Sequence, residues 1–354
     1  MTPSLSPRDS GPLLPSADLG AGDGVSAGAS PDPMALPPTT SPHPGSSPLD
    51  QVWMWRGFPI RYQHQGTQGP VVVLIHGFGA SCDHWRKNIP VLAQTHRVYV
   101  LDLLGFGRSA KPTPGQPLAY TFETWGEQVQ DFCRDIVGDR AILVGNSVGC
   151  IVALQVAVTQ PWRVKGLVLL NCSLRLLHDR KRSQLPWYRN WTTPLIQQIL
   201  GIPALGRRFF SQLARPQTLE KILRQAYARS EAVTPDLVQL LLQPAQDPGA
   251  ADVFLAFVRY SQGPLPEELL PQVTCPVLVL WGADDPWEPV ALGKDLAQSP
   301  GVEHFIPLPG VGHCPQDEAP EVVNPLIQAW TTQVWERSTR GGWNPWKRSP
   351  KGAT

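Results

Sequence analysis

Ser147, His313 and an acid at Asp284 or Asp285 are the residues whose types and order in this chain suit acyl transfer. A serine hydroxyl is a weak nucleophile at neutral pH. It needs a base to take its proton, the base needs a carboxylate to orient it, and the adduct needs hydrogen-bond donors for its oxyanion. Ser147 stands in Gly145-Asn-Ser-Val-Gly149, after the apolar run Ala141 to Val144 and before the helix-forming run Ile151 to Val158. Strand, sharp turn, helix, with serine at the apex: this is a nucleophile elbow, G-x-S-x-G, whose glycines remove the side chains that would hold strand and helix apart.

The base is expected at His313, in Gly310-Val-Gly-His-Cys-Pro315, where Gly310 and Gly312 let a loop carry the imidazole over the elbow. The acid is expected in Gly282-Ala-Asp-Asp-Pro-Trp287; only one of its two neighbouring aspartates can point inward, and the spacing from Gly282 favours Asp285. After the strand that follows the elbow, the other place such an acid is found, the chain has Asn171 and Cys172 and no carboxylate. The oxyanion donors are expected to be the backbone N–H groups of Val148 and of Phe78, the latter in His76-Gly-Phe-Gly79. One such donor is worth about 3 kcal/mol of transition-state stabilisation.

Other conspicuous residues read as structural. Asp102-Leu-Leu-Gly-Phe-Gly-Arg-Ser109 is expected to maintain the fold, with Asp102 capping or pairing locally, and no phosphate cradle accompanies its glycines. His76 and His84 are given structural roles, and His43, His64, His96, His178 and His304 have no catalytic context. No metal-ligand spacing is present, so neither metal nor cofactor is expected.

The elements that must position these residues can be read from hydrophobic pattern. Val52 to Trp55 and Phe58 to Gln63, around Arg56-Gly57, predict an edge hairpin. Val71 to Ile75, Arg97 to Leu103, the elbow strand and Val164 to Leu170 read as strands covered on both faces, separated by helical stretches at Trp85 to Ala93 and Thr124 to Val137. That alternation predicts an α/β fold, a mainly parallel doubly wound sheet. From Leu174 to Leu270 no strand is expected; proline-punctuated helical runs at Pro194 to Leu200, Thr218 to Ala228 and Pro235 to Leu242 predict an inserted cap. Cys275 to Trp281 and Glu303 to Leu308 resume the sheet, and Glu321 to Val334 closes it as a helix. The organisation expected is therefore a core of 51–173 and 271–336, a cap of 174–270, a disordered Pro/Ser/Gly-rich segment of 1–50 and a flexible basic tail of 337–354.

Composition excludes several classes. A formal net charge of +1 gives no electrostatic case for nucleic acid. Six scattered cysteines without a C-x-x-C pair read as reduced thiols of a cytoplasmic protein. No apolar run is long enough to span a bilayer. Peripheral contact stays open through Arg175, Arg180, Lys181 and Arg182, although a solvated helix face is the commoner meaning of such a run. The cap aromatics Trp187, Trp191, Phe209, Phe210, Phe254 and Phe257 are either the cap's own core or the lining of an apolar pocket.

With elbow, oxyanion loop, acid and histidine in order, the chain from about Val52 to Trp335 resembles the α/β-hydrolase fold family. Gly282 to Trp287 and Gly312-His-Cys-Pro-Gln-Asp-Glu-Ala-Pro-Glu-Val-Val-Asn324 look like the phytol-releasing esterases of the pheophytinase and chlorophyll dephytylase type. That resemblance implies Ser147 as nucleophile, His313 as base, an apolar ester of tetrapyrrole scale as substrate, and work at an internal, thylakoid-type membrane. The Gly-Asn-Ser elbow also resembles the carbon–carbon bond hydrolases of aromatic ring fission, whereas an elbow aspartate, as in dehalogenases, is absent. A third expectation, from another class, is a non-catalytic scaffold of this fold that binds an apolar ligand or a partner. Oligomeric state and substrate contacts are not legible.

Overall fold

The computed structural model describes residues 49–115, 117–176, 178–184 and 202–340. Trp187, Trp191 and the helical run 194–200 lie outside the described residues, as do His43, the segment 1–48 and the tail from 341.

Eight strands form one sheet in the order β1-β2-β4-β3-β5-β6-β7-β8. They are β1 (Asp50–Trp55), β2 (Phe58–Gln65), β3 (Val71–Ile75), β4 (Arg97–Leu101), β5 (Ala141–Asn146), β6 (Val164–Leu170), β7 (Val277–Gly282) and β8 (Val302–Leu308). The first two make the expected antiparallel hairpin, turned at Arg56 and Gly57, both with positive φ. From β4 to β8 every pairing is parallel, so each crossover needs a helix, and helices cover both faces. Alternate residues of β3 go to opposite sides. Val71, Val73 and Ile75 join one buried cluster with Trp125 and Ile151, while Val72 and Leu74 join another with Trp85 and Ile327. That two-sided burial is why the strand reads as an unbroken apolar run.

The helices that follow this frame are α1 (Phe122–Phe132), α2 (Val148–Thr159), α3 (Pro203–Leu213), α4 (Pro216–Ala226), α5 (Pro235–Ala245), α6 (Ala250–Arg259), α7 (Val290–Leu296) and α8 (Pro320–Arg340). Helix α1 starts on the Thr121 side chain, which accepts from the Thr124 N–H, and continues as a wider turn, Cys133–Val137, stopped by Gly138 at φ 68°. Helix α2 is buried on almost all sides, as its uniformly apolar sequence requires.

Two expectations are revised. The stretch around Trp85 to Ala93 is not one helix: a 3₁₀ turn, Cys82–Trp85, and a separate helical turn, Ile89–Leu92, replace it. Pro90 lacks the N–H and has the ring that would strike a preceding helical turn, so the element must restart there. The closing helix runs to Arg340, past the boundary expected for a flexible tail. Helices α3 to α6, with shorter helical turns such as Asp179–Gln184 and Pro266–Leu269, occupy the interval between β6 and β7, with no strand among the described residues there.

Candidate active site

The elbow is built as the residue pattern requires. Strand β5 ends at Asn146, helix α2 begins at Val148, and Ser147 between them holds φ 54° and ψ −120°. A non-glycine residue at such angles costs on the order of 1–3 kcal/mol, which surrounding packing must offset. The packing is close. A Cβ on Gly149 would lie 2.4 Å from the Ile75 carbonyl oxygen, and one on Gly145 would lie 2.6 Å from the Cys150 nitrogen. Helix α2 therefore presses against β3 and β5 at a distance only glycine allows.

Ser147, His313 and Asp285, far apart in sequence, meet above the carboxyl ends of β5, β7 and β8. His313 Nε2 is 3.0 Å from Ser147 Oγ, and His313 Nδ1 is 2.7 Å from Asp285 Oδ2. Asp284, by contrast, is exposed and accepts the Gly310 N–H at 2.7 Å, which braces the loop leading to the histidine. Asp285 is buried and fully engaged. Its Oδ1 accepts the N–H groups of Trp287 (2.8 Å) and Glu288 (3.1 Å), and its Oδ2 also accepts from Asn171 Nδ2 (2.7 Å). Burial by itself would raise this carboxyl's pKa. The hydrogen bond and charge of His313, with the Asn171 and Trp287 donors, outweigh it and hold the pKa below the usual aspartate value.

Sequence reasoning passed over several of these supports. Asn171, noted only as a place without a carboxylate, gives its amide to Asp285 and accepts the Gly282 N–H at 2.8 Å. Asn146 donates to the His313 carbonyl at 3.1 Å, and the Trp287 ring lies 4.9 Å from the imidazole at 60°. Asn146 was visible as the second residue of the elbow; nothing local in sequence marks Asn171.

The two expected oxyanion donors flank the serine. Val148 opens α2, where its N–H has no intrahelical acceptor. Phe78 follows Gly77, whose Cβ, if present, would lie 3.2 Å from the Ser147 Cβ, so the His76–Gly79 loop sits directly against the elbow. His76 and His84 are both buried and hydrogen-bonded within the fold, and His84 also borders the cavity over Ser147. His76 contacts the Gly77 carbonyl through Nδ1 and accepts the Leu103 N–H through Nε2, while His84 Nε2 pairs with the Tyr227 hydroxyl. Asp102 is wholly buried and accepts the N–H groups of Cys82 and Arg108.

Above Ser147 opens a cavity of about 430 Å³. Its floor carries Ser147, His313, Ser173 and Glu288; its roof is Phe210, Leu213, Leu219, Ile222, Phe254 and Phe257 from helices α3, α4 and α6. Phe210, Phe254 and Phe257 thus face the cavity, whereas Phe209 is 42% exposed. The cationic run at the start of the insertion is engaged within the chain. Arg175 donates to the carbonyls of Tyr260, Gln262 and Pro264, and Arg180 and Lys181 pair with Glu268 and Glu267. The Arg182 side chain lies outside the described residues. No described helix is long and apolar enough to cross a membrane.

A profile of the Alpha/beta hydrolase family matches residues 72–326, which include all of this site. The chain belongs to that family. Pheophytinase of Arabidopsis thaliana, a chloroplastic protein, is 26% identical over 77% of this chain, which spans 63% of that protein's length, less than two thirds. The 2-hydroxy-6-oxo-6-(2'-aminophenyl)hexa-2,4-dienoic acid hydrolase of Metapseudomonas resinovorans is 38% identical over a shorter region, 32% of this chain and 39% of its own. Among solved structures, a membrane phospholipase A superposes with TM-score 0.63 at 26% identity, covering 80% of this chain and 86% of its own. This α/β-hydrolase chain therefore sits among esterases and related hydrolases.

Proposed function

We propose that this hydrolase cleaves a carboxylic ester of a neutral, apolar substrate through an acyl-enzyme, with Ser147 as nucleophile, His313 as general base and then general acid, and Asp285 as the orienting carboxylate. The observation that carries this reading is the imidazole bridging Ser147 Oγ at 3.0 Å and Asp285 Oδ2 at 2.7 Å on the floor of an apolar cavity.

In that arrangement Ser147 Oγ attacks the ester carbonyl as His313 Nε2 takes its proton. Asp285 stabilises the imidazolium, and the N–H groups of Val148 and Phe78 receive the oxyanion. The adduct collapses, the imidazolium gives its proton to the departing alkoxide, and the alcohol leaves. Water, deprotonated by the same imidazole, then attacks the acyl-serine; the carboxylic acid departs and Ser147 recovers its proton. No other group is required to balance the cycle.

An apolar substrate is supported by the cavity, whose roof is aliphatic and aromatic and whose volume is within the range that encloses a small ligand. A long alkyl or acyl chain suits it, and the resemblance to pheophytinase makes phytyl esters the first candidates. Carbon–carbon hydrolysis is the second reading, favoured by the shared elbow. The ring-fission relative is named for a carboxylic acid substrate, however, and no Lys or Arg is among the described residues lining this cavity to pair with such a charge. Fluorophosphonate labelling of Ser147, lost in Ser147→Ala, together with hydrolysis of p-nitrophenyl octanoate, is the expected result. Absence of labelling in the folded protein would leave only the non-catalytic scaffold. Chromatography for free phytol after incubation with pheophytin separates the pigment substrate from simpler esters.

A further inference from the structure

On the reading that Ser147 attacks an ester, the charge carried by the cavity wall decides which esters approach it. Glu288 stands on that wall three residues beyond Asp285, only 7% exposed. It is fixed from three directions. Its Oε1 accepts the Leu174 N–H at 3.0 Å, its N–H donates to Asp285 Oδ1 at 3.1 Å, and its carbonyl accepts the Trp281 indole N–H at 2.9 Å. Its Oε2 is buried and makes no hydrogen bond of good geometry among the described residues. Those contacts explain how the carboxyl is held, but the acyl-transfer cycle has no use for it.

We propose that Glu288 is a specificity-determining residue whose carboxylate, set into the cavity wall near Ser147 and His313 with no Lys or Arg among the described lining residues, turns away ligands that bring a negative charge and admits neutral esters.

The groups that face Glu288 set when this charge is present. Burial pushes the carboxyl up, opposed by the Leu174 N–H and His313, reinforced by Asp285, and opposed again by the Ser173 hydroxyl, with the balance at about 7. The nearby Cys172 thiol is itself raised far above its ordinary value, chiefly by burial, and contributes no charge near neutrality. His84, also on the wall, is lowered by burial to about 4 and stays neutral there. Rejection of anions should therefore strengthen as pH rises from 6 to 8.

Binding to the Ser147→Ala protein separates this from chemistry. Calorimetry with methyl octanoate and with octanoate, at pH 6 and pH 8, should show the preference for the ester growing about tenfold with pH, the size expected for two like charges a few ångströms apart in a partly screened site. Glu288→Gln in the same background, which keeps an oxygen for the Leu174 N–H, should abolish that growth. Ser147→Ala combined with His313→Asn should retain it. Growth that survives Glu288→Gln, or disappears with His313→Asn, assigns the pH dependence to the imidazole and overturns the proposal, as does a preference that does not change with pH. Failure of the esterase reading would appear separately, as unlabelled wild-type Ser147 in the fluorophosphonate experiment.

Discussion

Floor and roof of the cavity are held in different ways. At the floor, Ser147 and Asp285 stand on loops leaving the wholly buried strands β5 and β7, His313 stands on the loop after the outermost strand β8, and all three are joined by hydrogen bonds to one another and to neighbouring loops. At the roof, the described helices meet the core through aromatic contacts of α6, such as Phe78 with Phe257 at 4.4 Å and Phe78 with Phe254 at 5.7 Å, and at the end of α4 through a hydrogen bond from the His313 N–H to the Ala226 carbonyl at 2.9 Å. Their outer faces leave Leu205 and Phe209 exposed. Directional bonds fix atoms to fractions of an ångström, which bond-making chemistry demands. Apolar packing is tolerant of shape, which suits the part that receives an aliphatic group.

The sharpest way to break this contrast is Ser147→Ala. On the floor, one oxygen atom should be worth about 10⁵ to 10⁶ in kcat, with the melting temperature held or raised, since alanine loses no packing. Asp285→Asn should follow, at about 10⁴ in kcat, because an amide beside Nδ1 misdirects the imidazole. A loss under tenfold would show that the floor does not act as a unit. Glu288→Gln probes the same loop through stability. The folded chain holds this proton more tightly than the ordinary 4.5, so between about pH 4.5 and 7 it binds more protons than the unfolded chain, and stability declines as pH rises through that window. Replacing the acid should raise the melting temperature by several degrees at pH 8, corresponding to on the order of 3 kcal/mol at most, and leave it unchanged at pH 4. Asn171→Ala should lower kcat about tenfold with KM unchanged, by removing one donor to Asp285. Smallest, Phe254→Ala at the roof should raise KM for octanoyl esters several-fold and leave kcat within a factor of about three. If the roof variant damaged kcat more than Asn171→Ala, the division of labour drawn here would fail.

The floor was legible in the sequence and the roof was not, for the same physical reason. An elbow serine forces glycines at fixed offsets, and buried parallel strands force apolar runs, so Gly145, Gly149 and Val71 to Ile75 leave local marks. The side chains that orient Asp285 leave none: Asn171 reaches it from just beyond another strand, 114 positions away. Asp284 and Asp285 could be separated only by spacing, and their roles differ because one faces water and the other the imidazole. In the cap, amphipathic periodicity located α4 and α5 but could not say which aromatic residues face the cavity, since a helix shows the same stripe whether it covers a core or a void. The break at Pro90 was readable in principle and was overridden by the apolar pattern around it.

The main-chain N–H of His313 donates to the Ala226 carbonyl at 2.9 Å, at the last residue of α4. The preceding Gly312 lies so near that helix that a Cβ would come within 2.3 Å of the same oxygen, and its N–H is anchored by the Glu318 carboxylate at 2.6 Å, whose other oxygen takes the Arg229 N–H. The helix that roofs the cavity and the loop that carries His313 therefore share one fastening. A displacement of α4 would pull on the main chain that holds the His313 imidazole 3.0 Å from Ser147 Oγ. A methyl group at position 312 would act as a wedge in that joint, because the Ala226 carbonyl would have to move aside for it.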